Sequence, residues 1–214
     1  MTTSNEEEPP RGVAELRALF VVLAVAFAAS SVGPRERLTW WLEVFPVLIG
    51  LALCFATRAR FPLTPLLYRL LFVHALILIL GGHYTYAQVP AGFWLQDLFD
   101  LARNPYDRIG HFAQGFVPAI LAREVLLRTS PLERGKWLFV LCASVCLAFS
   151  ALYELLEWAA AVVLGADAES FLGTQGDVWD TQWDMALALS GALVSLSLLS
   201  RLHDAGLRRL GVAS

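Results

Sequence analysis

Cysteine is scarce and poorly placed for chemistry. Cys54, Cys142 and Cys146 are the only three, and all lie inside apolar runs. A disulfide framework places cysteines in loops, and a thiolate zinc site uses CxxC pairs. Both are excluded, and the three thiols read as small buried side chains. Charge is also sparse: 16% of residues are charged, the net charge is −3, and no basic stripe runs along the chain. That excludes a nucleic-acid module and any partner recruited by bulk electrostatics. No internal repeat is visible, so the inverted-repeat plan of many transporters has no support.

Apolar surface is abundant. The chain of 214 residues is 57% hydrophobic, with a mean hydropathy of +0.58, against roughly 45–50% apolar residues in a soluble domain. It reads as an all-α, polytopic membrane helix bundle. About six transmembrane helices are expected, with an interfacial segment between the third and fourth.

Residues 1–12 (MTTSNEEEPPRG) form a polar, acidic tail expected to be cytoplasmic. Val13 to Val32 is the first apolar run. Ala26-Phe27-Ala28 has the small-x-small form of a signal cleavage site, but the leader is acidic and the following chain stays hydrophobic. The run is therefore read as the first span. Trp40 to Thr57 is the second, interrupted by Pro46, and Leu66 to Gly82 is the third. Each approaches the ~20 residues needed to cross a bilayer core. Between His83 and Asp107 the chain turns aromatic and turn-rich. An amphipathic piece around Phe93–Leu101 should lie at the interface, with Phe93, Trp94 and Leu98 toward lipid. Ile109 to Leu127, Trp137 to Leu164 and Met185 to Leu202 complete the six. The membrane domain is thus residues 13–203, followed by a polar tail over 204–214 that is also expected to be cytoplasmic.

With the N-terminus inside, twelve of the sixteen Lys and Arg residues fall on the inner side and four outside (Arg35, Arg37, Arg103, Arg108). The positive-inside rule then places both termini in the cytoplasm. Six of the seven Trp residues (Trp40, Trp41, Trp94, Trp158, Trp179, Trp183) fall at outer span ends, and Trp137 falls at an inner one.

This topology gathers distant polar residues on one side. The stretch Asn104–Gln114 (NPYDRIGHFAQ) opens the fourth span. Gly173–Asp184 (GTQGDVWDTQWD) opens the sixth. Asp107 and His111 are four apart and share a helical face, about 6 Å apart along the axis. Glu154 and Glu157 share a face of the fifth span, between Leu152 and Trp158. Ionisable groups inside a membrane helix are costly, by roughly 2.5–3.5 kcal/mol, and face a cavity or the bundle interior. Two close carboxylates do not both ionise without a cation, an Arg or a shared proton. Asp107, His111, Glu154, Glu157 and Asp184 are therefore the candidate catalytic residues. Asp107, His111, Glu157, Asp180 and Asp184 are the candidate ligands of a divalent cation such as Mg²⁺, Mn²⁺ or Zn²⁺. His83, Gln175 and Asp177 are placed in the same outer layer.

Each of these residues also has an ordinary structural role open to it. Asp107 and Asp184 can cap their helices. Asp177 and Asp180 can be solvated loop acids, His83 a turn residue, and His111 a core histidine bonded to a carboxylate. Glu154 and Glu157 can project into the headgroup region, and Gly173 and Gly176 can simply shape a turn. Arg108 can serve to steer topology, and Arg123-Glu124 reads as an ordinary pair of interface charges.

The motifs His83–Pro90 (HYTYAQVP), Asn104–Ala119 (NPYDRIGHFAQGFVPA), Ala151–Trp158 (ALYELLEW) and Gly173–Met185 (GTQGDVWDTQWDM) resemble the YjdF-like family of bacterial inner-membrane proteins. The likeness runs from about Leu66 to Leu199. It implies a bacterial inner-membrane location and no particular reaction. A smaller likeness is to VanZ-like membrane proteins, through Asp107-Arg108-Ile109-Gly110-His111, an acid at Glu154 or Glu157, and Asp184 with Gly191. Ala188 stands where that pattern has Asn, so one polar group is missing. The functional expectation is an outward-facing acidic and histidine site, read as a metal-dependent enzyme acting on a lipid or lipid-linked envelope substrate. A non-catalytic binding or resistance protein and a small proton-coupled transporter are the alternatives.

Overall fold

The computed structural model describes residues 11–165, 171 and 173–212. Of the expected tail over residues 1–12, residues 1–10 lie outside the described residues, as do residues 166–170 of the acidic loop, while Arg11 and Gly12 belong to the first helix. Among those described, the elements are α1 (Arg11–Ser30), α2 (Arg37–Thr57), α3 (Pro65–Tyr84), a 3₁₀ turn (Tyr86–Gln88), α4 (Pro90–Phe99), α5 (Tyr106–Thr129), α6 (Lys136–Leu164) and α7 (Asp180–Arg209). Helices dominate because a backbone in lipid must satisfy its own hydrogen bonds. The local signals agree. Thr64 caps α3, its side chain accepting from the Leu67 N–H, and Pro65 follows at the first helical position. Pro90 opens α4 in the same way.

α1, α2, α3, α6 and α7 are long and apolar enough to cross a membrane. α5 has the length, at 24 residues, but carries Asp107, Arg108, Arg123, Glu124 and Arg128 toward its two ends. It tolerates them because it is the central helix, packed by α3, α6 and α7. A helix shielded from lipid needs no apolar circumference. α4 lies between α3 and α5 as the expected short amphipathic piece, with Phe93, Trp94 and Leu98 exposed.

The contact that positions the site is between α5 and α7, which run parallel. On α5, Asp107, His111, Gly115 and Ala119 recur every four residues and form one buried stripe. On α7 the matching stripe is Asp184, Ala188, Gly191, Ala192 and Ser195, also buried. A Cβ on Gly115 would collide with the Ala188 backbone, and one on Gly191 with the Phe112 carbonyl. Small residues therefore let the two backbones touch, as in other close membrane crossings. One turn nearer the helix starts, the same faces carry Asp107, His111 and Asp184. α6 adds a third stripe, Cys142, Cys146, Ser150, Glu154 and Glu157, all buried. Its first part builds an apolar layer with Ala119, Leu138, Ala143, Ala192 and Leu196.

The structure changes three expectations. α7 does not stop at Leu202 but continues to Arg209, so His203 and Asp204 are helical. Arg123 and Glu124 are not interface charges: both are buried, Glu124 completely. Trp40 is not part of an interfacial belt. It is 2% exposed and donates its indole N–H to Ser30 Oγ at 3.1 Å, whereas Trp41, Trp94, Trp158, Trp179 and Trp183 are exposed.

Candidate metal centre at the acidic end

At the end of the bundle where α5 and α7 begin, His111 is surrounded by carboxylates. Its Nε2 lies 3.6 Å from Asp107 Oδ1 and 3.7 Å from Asp184 Oδ2. Its Nδ1 lies 3.8 Å from Glu154 Oε1. None of these is short enough to be a hydrogen bond. Asp107, His111 and Asp184 are buried, and one ligand atom from each lies within 4.8 Å of the others. N and O ligands sit at about 2.0–2.2 Å from a small divalent ion, so two donors on one ion are roughly 3–4 Å apart. The observed separations fit that spacing. Buried polar atoms without a hydrogen-bond partner also collect here: among the described residues, His111 Nδ1, Glu154 Oε1 and Asp184 Oδ1. Buried polar groups are nearly always bonded; these three belong to one set of N and O donors, the ligand types a divalent cation takes.

The other predicted residues divide into two groups. Glu157 is buried one turn beyond Glu154, within electrostatic range of Asp107, Asp184 and Glu154, but lies outside the three-residue group. Asp180 is buried and ion-paired, Arg103 Nη1 donating to its Oδ1 at 2.5 Å. Asp177 accepts from Arg108 Nη2 at 2.9 Å, and its Oδ1 accepts from the Trp179 N–H at 3.0 Å. Gln175 clamps the loop. Its Oε1 accepts from the Asn104 N–H at 3.1 Å and its Nε2 donates to the Asn104 carbonyl at 3.0 Å. His83 braces α1, with Nδ1 2.9 Å from the Ser30 carbonyl. The loop reaches over the cluster at Gly173, whose φ of +61° suits glycine and whose Cα side faces the Asp107 carboxylate.

Two participants went unread in the sequence. Arg103, counted only toward topology, is 3.4 Å from Asp107 and also pairs with Asp180, so it is the nearest counter-charge of the cluster. Glu43 on α2 is 4% exposed and accepts from the Tyr153 hydroxyl at 3.2 Å. Gly82 lets α2 approach there, because a Cβ on it would press on the Glu43 Cβ. A lone acid in an otherwise apolar span is itself a signal, since such a residue rarely faces lipid.

A second buried charge cluster lies at the opposite, basic end. Glu124 accepts from the Thr64 N–H at 3.1 Å, the Thr64 hydroxyl at 2.8 Å and Arg128 Nη1 at 2.8 Å. Arg123 Nη1 is 2.8 Å from His203 Nδ1, and His203 Nε2 is 2.9 Å from Glu124 Oε2. A guanidinium only donates, so His203 Nδ1 accepts and its Nε2–H donates to Glu124. Arg123 and Arg134 both donate to Asp204 Oδ1, at 2.8 and 3.0 Å.

The sequence matches, over residues 15–205, the family described as "Predicted membrane protein (DUF2238)". It is 50% identical over 192 residues to the "Inner membrane protein YjdF" of Escherichia coli (strain K12), covering 90% of this chain and 92% of that protein. No solved structure matches it. A membrane bundle with these motifs, matched along nearly its whole length, belongs to the DUF2238 family of membrane proteins.

Proposed function

We propose that the chain is a bacterial inner-membrane protein that holds a divalent cation between Asp107, His111 and Asp184 and acts through it on a lipid-linked substrate. The single observation behind this reading is the buried triad whose donors face one another at ligand spacing without bonding. Glu154 stands behind His111 as the carboxylate that orients a ligating imidazole, a common partner of metal-bound histidine. A bound cation would polarise a phosphoryl or carbonyl oxygen or activate water. Glu157 and Glu43, buried nearby, are the groups available to take up or return a proton.

The basic-residue bias supports an outer position for this acidic end and cytoplasmic termini. The name of the Escherichia coli relative supports the inner membrane as its location. The proton-coupled alternative is disfavoured by the apolar layer between the acidic cluster and the basic end, and by the closed charge network beyond it.

Metal content of detergent-purified protein tests the reading. Near-stoichiometric divalent cation is expected in the wild type and in Asp180→Asn. Loss is expected in His111→Ala and in Asp184→Asn. Wild-type protein that takes up no cation on incubation with Mg²⁺, Mn²⁺ or Zn²⁺ would sink the metal-centre reading.

A further inference from the structure

Beside the triad, a depression of about 310 Å³ opens at the acidic end. Leu101, Arg103 and Arg108 form one wall, and Gln175, Gly176 and Asp177 the other. We propose that this depression binds the phosphate headgroup of a membrane lipid or lipid-linked carrier, with the hydrocarbon running over α4. The proposal deepens the reading above and rests on it for any reaction, though not for the binding itself.

Two guanidiniums converge on one point. Arg108 Nη2 is 2.9 Å and Arg103 Nη1 3.7 Å from the same atom, Asp177 Oδ2. That oxygen occupies the position a phosphate oxygen would take. Arginine forks match phosphate geometry, and a phosphate brings more oxygens to them than one carboxylate does. Arg108 has spare capacity: its side chain is 35% exposed and, among the described residues, only its Nη2 is hydrogen-bonded. Arg103, whose two Nη groups are committed to Thr174, Asp180, Asp107 and Gly173, contributes its charge and position. Both are also held in place. Arg108 lies over the Trp183 ring, 5.5 Å from its centroid. Arg103 is fixed by Asp180 and by the Thr174 carbonyl at 2.9 Å.

The surroundings favour a lipid over a soluble phosphate. Leu101 at the rim lies two residues beyond the end of α4, whose Phe93, Trp94, Leu98 and Phe99 are exposed. A short interfacial helix with such residues offers a surface to an acyl or prenyl chain. Arg103 also reaches Asp107 at 3.4 Å, so a headgroup bound here lies next to the triad. Asp177 then acts as an internal competitor that a phosphate displaces.

Binding to purified protein is measured with three probes: dihexanoyl phosphatidic acid, dihexanoylglycerol without the phosphate, and inorganic phosphate. Wild type should bind phosphatidic acid more tightly than either of the others. Arg108→Gln should weaken it about tenfold, the equivalent of one charge-assisted hydrogen bond. Asp177→Asn should tighten it, a direction that a purely structural Asp177 would not give. Exposed Arg60→Gln at the other end should leave it unchanged. His111→Ala should keep phosphatidic acid binding even where it loses the cation, which separates failure of this proposal from failure of the metal reading. Equal binding of dihexanoylglycerol would overturn recognition of phosphate. Equal binding of inorganic phosphate would overturn recognition of a lipid. Unchanged affinity in both Arg108→Gln and Asp177→Asn would overturn the assigned residues.

Discussion

At the basic end, Glu124 and Asp204 meet Arg123, Arg128 and Arg134 around His203, and nearly every donor has an acceptor within 2.7–3.1 Å. At the acidic end, among the described residues, Glu43, Asp107, Glu154, Glu157, Asp177, Asp180 and Asp184 have Arg103, Arg108 and His111 as their basic neighbours, and the contacts around His111 stand open at 3.6–3.8 Å. Both ends bury charge along the same two helices, α5 and α7. At the basic end the charges bond one another; at the acidic end the polar atoms around His111 do not. A complete network fixes helix register, while an incomplete one costs stability unless a ligand completes it. Burial is similar at the two ends, so it is the bonding between the charges that tells the basic lock from the acidic candidate site.

Mutation should give the two ends opposite signs. The largest effect is expected at the lock. Glu124→Ala leaves Arg128, Thr64 and His203 without their shared acceptor, and losing one partner of a buried pair costs about 3–5 kcal/mol. The check is reversible unfolding in detergent, and a loss below about 1 kcal/mol would break the contrast. Glu43→Gln should do the reverse on a smaller scale. It takes one carboxyl out of a crowded cluster while keeping an acceptor for Tyr153. Stability should hold or rise by up to about 1 kcal/mol. A large destabilisation there would mean that the acidic end is also a lock.

Much of the site could be read from the sequence because its residues repeat at helical spacing. Asp107 with His111, Glu154 with Glu157, and Asp184 at the start of a span each mark a face, and span order carries those faces to one end. The lock was harder to read. Arg123, Glu124 and His203 sit where spans meet the interface, and charges are ordinary there. Only the continuation of α7 to Arg209 brings His203 and Asp204 under Arg123. The i,i+4 pair Glu124–Arg128 was the available hint. Glu43 stands alone on α2, and nothing in its own helix indicates that Tyr153 of α6 approaches it. The backbone contacts at Gly115 and Gly191 depend on helix register, which spacing alone does not fix.

In the proposed function a divalent cation completes the acidic end, whereas the basic end is complete already. Thermal unfolding of the purified protein against added Mg²⁺, Mn²⁺ or Zn²⁺, and then against a chelator, tests it most directly. A cation that binds only the folded state adds about 2.7 kcal/mol at one hundred times its Kd. Wild type should therefore melt several degrees higher with the right cation and fall back with chelator. The same shift should persist in a milder lock variant such as Glu124→Gln and vanish in Asp184→Asn. A wild-type melting temperature indifferent to all three cations, or a shift that survives Asp184→Asn together with His111→Ala, would contradict the claim.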